Sequence, residues 1–186
     1  MYDLIKELTK HKTFDDNEEH SKQTVLEFLK NNTNCYDRSN LKGHITAGAL
    51  LVDGKGEVLL NHHLGNGMWL QFGGHSDADT DTLNVAKREV MEESGITDFE
   101  VISEGIFDVD VQVIPYSARK NEPEHFHYDV NFLFLAHNKN FVISNESSEL
   151  MWLTIDEARK KLSPDDVSTK RMLLKYENLL KSQGII

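Results

Sequence analysis

The chain has 186 residues, enough for one well-packed domain with an extension, and its hydrophobic (39%) and charged (27%) fractions are ordinary for a globular protein. With 31 acids against 20 bases the formal net charge is -11, and no block of five or more basic residues occurs. That balance excludes the clustered Lys and Arg with which a protein displaces counterions from bulk nucleic acid, while a small phosphorylated ligand accompanied by its own metal stays compatible.

Cys35 is the one cysteine, so an internal disulfide and a cysteine-based zinc cluster are both excluded. The opening "MYDLIKELTKH" lacks the apolar core of a signal peptide, and no apolar run approaches the roughly 18 residues of a membrane span. The expectation is a cytoplasmic chain with no membrane partner.

In chain order, residues 3 to 10 and a second segment carrying Val25, Phe28 and Leu29 at i, i+3, i+4 predict two short amphipathic helices, the second ending at "NNTN". They form an N-terminal extension over residues 1–40, able to cover the main domain, close over a site or support a homodimer. Residues 41–186 are expected to form the main domain. "ITAGALLV" and "EVLLNHH" flank "DGKG", a hairpin turn in which glycines supply positive φ. "MWLQF" predicts one further strand running into Gly73 and Gly74.

Asp81 as N-cap and Gly95 as C-cap predict a helix from about Thr82 to Ser94. "FEVISEGIFDVDVQVIPY" reads as extended with a break near Gly105. In "HFHYDVNFLFLA" the alternation puts Phe126, Tyr128, Val130, Phe132 and Phe134 on a core face and His125, His127, Asp129 and Asn131 on a polar one. Thr154 with Glu157 forms a capping box, and Ser163-Pro164 is expected to cap the last helix. Central strands, one inserted helix and terminal helices predict an α+β, mixed-sheet sandwich.

The inserted helix carries Leu83, Ala86 and Val90 as an apolar stripe, while Glu89, Glu92 and Glu93 fall at i, i+3, i+4 on another side. Such like-charge pairs cost only about 0.2–0.5 kcal/mol each, so a solvated acidic face is one reading. The preceding strand and Gly-Gly turn favour another. Glycines leave a main-chain oxygen accessible, and with the carboxylates it can surround one hard cation, for which Mg2+ is suited.

Gly74, Arg88, Glu89, Val90, Glu92, Glu93, Gly95 and Ile96 stand at the spacing of the signature of the Nudix (MutT-like) hydrolase superfamily, and residues 43 to 162 resemble that family. One specified position departs: Thr80 stands where the family has its first Glu, a loop residue that Asp77 or Asp79 could replace. The resemblance implies a Nudix fold and metal-dependent hydrolysis of a nucleoside diphosphate linked to a group X, with Mg2+ or Mn2+ as cofactor.

It also implies Glu89, Glu93 and the Gly73 carbonyl as metal ligands, Glu92 as a direct or water-mediated one, and Arg88 as the group orienting Glu89. Glu93 and Glu146 are candidate general bases, with Glu149 behind them. His127 and Asp129 on the polar strand face, and the cations Arg119 and Lys120, are candidate substrate contacts. His125 and His127 also place two rings on one side of a strand, as zinc sites do, but no third nitrogen or sulfur ligand is apparent unless His75 approaches. Trp69 reads as core, and Tyr116 as a candidate to stack on a base.

Two other functions compete. Diphosphate isomerisation needs a cysteine at the site, and Cys35 precedes the first core strand. A binding module of the same fold commonly lacks the box acids, whereas all three helix glutamates are present.

Overall fold

The computed structural model describes residues 3–118 and 121–186. The expected substrate cations Arg119 and Lys120 therefore lie outside the described residues. Two helices, α1 (Leu4–Lys10) and α2 (Asp16–Asn31), precede β1 (Gly43–Val52), β2 (Glu57–His63), β3 (Met68–Leu70), β4 (Phe72–His75) and α3 (Thr82–Ser94). Then follow β5 (Phe99–Val101), β6 (Asp108–Ile114), β7 (His125–Ala136), β8 (Ser147–Thr154), α4 (Ile155–Lys161) and α5 (Val167–Ser182).

The strands form one mixed sheet whose path runs β3-β2-β1-β7-β5, with β4 on β1, β6 on β7 and β8 on β2. Parallel pairing of β1 with β7 runs from Gly43↔Phe126 to Val52↔Leu135 and is the spine of the fold. The β1–β2 turn has Gly54 at φ 72° and Gly56 at φ 107°, angles that explain both glycines.

Alternation along β1 divides the core. Ile45, Ala47, Ala49 and Leu51 pack with Val85, Ala86 and Val90 of α3 and with Leu4, Leu8 and Val25 of the N-terminal helices. Leu50 and Val52 face the opposite way, against Ala158, Met172, Leu173 and Tyr176 of α4 and α5. The sheet is thus held between two helical layers, the α/β/α sandwich expected for an α+β chain.

The N-terminal helices cover the sheet, with Phe28 stacked 4.0 Å from Tyr128. A buried polar knot ties them down. Glu18 is fully buried and accepts from Lys175 Nζ at 2.6 Å, Phe14 N at 2.7 Å and Val109 N at 3.2 Å. Asp108 of β6, equally buried, accepts from Arg171 Nε and Nη2 at 2.7 Å each and from Lys175 Nζ at 2.7 Å. These charges are paired and hydrogen-bonded, which is what makes their burial tolerable.

Three local expectations need correction. "MWLQF" is two strands, because the chain changes partner at Gln71: β3 pairs with β2 and β4 with β1. Gln71 is held at that switch, its side-chain oxygen accepting from Thr169 Oγ1 at 2.5 Å. The faces of β7 are not simply core and solvent: His125 and Asn131 of the polar face are buried, while Phe126 is 42% exposed. The last helix is capped by Asp166, which accepts from Thr169 N, rather than by Ser163.

Candidate active site

The acid-bearing helix α3 starts and stops where its caps dictate. Asp81 accepts from Asn84 N at 3.2 Å, and Gly95 closes the helix in the left-handed conformation at φ 70°. Burial of Val85, Ala86 and Val90 sets its rotation. Glu89 and Glu93, four residues apart, are thereby laid along β4.

Gly73 N donates to Glu93 Oε2 at 2.9 Å, and the His75 carbonyl accepts from Arg88 Nη2 at 2.8 Å. In an antiparallel strand, a residue's N–H and C=O leave on the same side, so the Gly73 carbonyl shares the edge that Glu93 occupies. At Gly74 a Cβ would meet the Glu89 carboxylate at 2.6 Å, so glycine there makes room for that side chain. Arg88 Nη1 lies 2.8 Å from Glu89 Oε1 and 3.1 Å from Glu92 Oε2. Gly73, Arg88, Glu89, Glu92 and Glu93 are thus brought together.

The charges of the cluster are only partly compensated. Burial pushes the Glu93 carboxyl up to about 8, with Glu89, Glu146 and Glu92 adding repulsion that the Gly73 N–H only partly offsets. Burial likewise lifts Glu89 to about 7, Arg88 opposing and Glu92 and Glu146 reinforcing. The buried Glu93 carboxyl, the partly buried Glu89 carboxyl, Glu92 on the rim and a backbone carbonyl form an all-oxygen donor set fitting a hard divalent cation such as Mg2+.

Glu146 is exposed, its carboxylate 4.0 Å from His63 Nε2, and its charge reaches both Glu89 and Glu93. Glu149 lies on β8 opposite His62. Thr80 is exposed in the loop before α3. Asp79 there accepts from Asp81 N at 2.9 Å, and Asp77 pairs with Arg38 at 3.0 Å while also strengthening the charge on Arg88.

His127 and Asp129 lie on the other face of the sheet from α3. Asp129 accepts a hydrogen bond from the Thr46 hydroxyl. Burial raises its carboxyl to about 7 against that bond, aided by Asp110 and Asp108. His127 belongs to a group of four histidines. The ring of His44 lies 4.9 Å from His75, 5.1 Å from His125 and 4.8 Å from His127. His44 is absent from the sequence-based expectations, since it is brought in by the β1–β7 register that pairs it with His127. Its even spacing with Thr46 on "GHITAG" was the available signal.

Trp69 is half-buried against the second core with Lys161 Nζ 4.4 Å above its ring, whereas Tyr116 is exposed. Cys35 is packed in the first core, its thiol donating to Asn32 O at 3.1 Å, so it is not part of the acidic cluster. Among the described residues no helix is long and apolar enough to cross a membrane.

A mixed sheet in a helical sandwich thus presents helix glutamates to a Gly-Gly strand edge. The NUDIX domain family model matches residues 42–174, most of the chain. The chain belongs to this family and is a Nudix-type diphosphate hydrolase. Solved structures of similar fold include the Ap4A hydrolase of C. elegans, at 22% identity and TM-score 0.53 over 73% of this chain and 97% of that one. The dihydroneopterin triphosphate pyrophosphohydrolase of E. coli is 14% identical, with TM-score 0.54 over 71% of this chain and 93% of the other. A MutT protein from Methanosarcina mazei Go1 is 21% identical, with TM-score 0.55 over 75% and 96%. No curated protein matches the sequence.

Proposed function

We propose that the chain is a Mg2+-dependent pyrophosphohydrolase, with Mn2+ able to replace Mg2+, acting on a small nucleoside diphosphate linked to X. The observation that carries this reading is the convergence of the Glu89 and Glu93 carboxyls on Gly73 and Gly74, held by the Gly73 N–H and by Arg88. Glu89, Glu93 and the Gly73 carbonyl would hold the cation, with Glu92 at the rim. Once bound, it supplies neutralisation of the diphosphate oxygens and a more acidic water.

The chain's own groups do the rest. Arg88 fixes Glu89 and, by its bond to His75 O, locks α3 to β4. Glu93, ionised once the cation offsets the crowding that otherwise keeps it protonated, is the first candidate to accept a proton from the attacking water, and Glu146 at the exposed rim is the second. Asp129 is the proposed hydrogen-bonding contact for X, its carboxyl held by the Thr46 hydroxyl and raised by burial to about 7. Arg119 and Lys120 are the proposed cations for a phosphate.

Phosphate-containing product released from a panel of nucleotide sugars, dinucleoside polyphosphates and nucleoside triphosphates, with Mg2+, Mn2+ or chelator, tests this reading. Cleavage of one class only with metal present is expected. Metal-independent cleavage, or none by the folded protein, would count against it.

A further inference from the structure

The side chains of the four histidines on the far face of the sheet take no part in the acidic site, and their geometry asks for an occupant. His44 is 3% exposed, and neither of its ring nitrogens makes a well-formed hydrogen bond, the Asn40 backbone being its one nearby polar contact of that kind among the described residues. A buried imidazole without well-formed hydrogen bonds forfeits solvation of its polar atoms, a cost of about 1–3 kcal/mol unless a ligand or ordered group offsets it. One donor atom from each of His44, His125 and His127 lies within 4.8 Å of the others, so the three converge on a common point.

The pair His125 and His127 is more specific. Their Nε2 atoms are 3.3 Å apart, while His125 Nδ1 is 2.8 Å from the Pro123 carbonyl. A carbonyl can only accept, so Nδ1 carries the proton and, in the neutral ring, Nε2 presents a lone pair to the cluster. This is the arrangement by which a backbone acceptor fixes the tautomer of a metal-ligating histidine. Two imidazoles on one tetrahedral Zn2+, with Zn–N of about 2.0–2.1 Å, have nitrogens about 3.3–3.4 Å apart. The observed separation falls in that range.

We propose that His44, His125 and His127 form a transition-metal site for Zn2+, separate from the carboxylate site and bordered on its fourth side by His75. Imidazole nitrogens favour zinc over magnesium, and carboxylates with a backbone carbonyl favour the reverse, so the two sites select different ions. The site joins β1 to β7 where their parallel register begins. It also touches β4 through His75, whose carbonyl holds Arg88. His75 and His127 are partly exposed, which gives an ion a way in. His127 thereby changes from a substrate contact to a metal ligand.

The test uses the full chain without an affinity tag, stripped with a chelator and titrated with Zn2+ against a chromophoric zinc indicator. Wild type and Glu93→Gln are both expected to bind one equivalent tightly. His127→Ala and His125→Ala, with native circular dichroism in chelator, should each bind at least 100-fold more weakly. Addition of Zn2+ to the unaltered chain should also shift the His44 ring resonances, a reading that needs no variant to fold. The proposal is overturned if wild type fails to bind Zn2+ at micromolar concentration. It is equally overturned if both histidine variants bind as wild type does, or if the ion is lost in Glu93→Gln.

Discussion

Replacing Gly74 by alanine should separate the site from the fold. The added Cβ would come within 2.6 Å of the Glu89 carboxyl carbon and one of its oxygens. Ordinary contact is about 3.5 Å, so the carboxylate must retreat by about 1 Å. It is the free end of a flexible side chain and can do so. The alanine also restricts the unfolded chain, so net stability should stay within about 1 kcal/mol of wild type. Activity should not survive as well, because a displacement of about 1 Å in a positioning group costs on the order of a hundredfold. Gly73→Ala is the contrasting variant: its Cβ would lie 2.9 Å from Gly48 Cα and 3.0 Å from Ala47 O, both backbone of the central strand. Those atoms cannot rotate away, and a loss of about 1–3 kcal/mol is expected. Thermal unfolding and steady-state turnover of both variants read the two effects. Full turnover by Gly74→Ala, or equal destabilisation by the two, would refute the placement of Glu89 over β4.

Glu18→Gln removes one of the two buried carboxylates that hold Lys175, leaving Asp108, and should cost about 1.5–3 kcal/mol by denaturant unfolding. Burial opposes ionisation of Glu18, but hydrogen bonds from His11 and Lys175, the Lys175 charge and the Phe14 N–H hold its carboxyl down at about 2, against an ordinary 4.5. Its contribution is therefore present above about pH 4.5 and lost as pH falls toward 2, so the variant should show a flatter acid limb than wild type. The acidic site has the opposite sign. With Glu89 and Glu93 raised to about 7 and 8, the metal-free fold holds protons that the unfolded chain has released, and its stability should fall as pH rises from about 5 to 8. Saturating Mg2+ should reverse that fall and release protons on binding; a melting temperature indifferent to both would contradict the carboxylate cluster.

The features legible in sequence were those governed by local rules. Asp81 and Gly95 bound α3 as expected because caps act within a turn, and the three-residue and four-residue spacing of Glu89, Glu92 and Glu93 follows from helix geometry. What escaped depended on partners distant in sequence. Gln71 divides a continuous apolar run because Thr169 binds it from α5. His125 and Asn131 of β7 are polar yet buried, and Asp108, opposite Asn131 on β6, is neutralised by Arg171 and Lys175 arriving from α5. His44 joins His127 through a strand register spanning more than eighty residues, which no local periodicity encodes.

The most direct measurement is Mg2+-dependent turnover by Glu93→Gln beside wild type, on whichever substrate the panel identifies, with folding of both checked by circular dichroism. Glutamine keeps the shape and can still accept from the Gly73 N–H but carries no charge. A folded protein that has lost at least about a hundredfold in turnover, and whose apparent affinity for Mg2+ is also weakened, is the expected result. Normal turnover by the folded variant would contradict the assignment of the active site to α3 and the Gly-Gly edge.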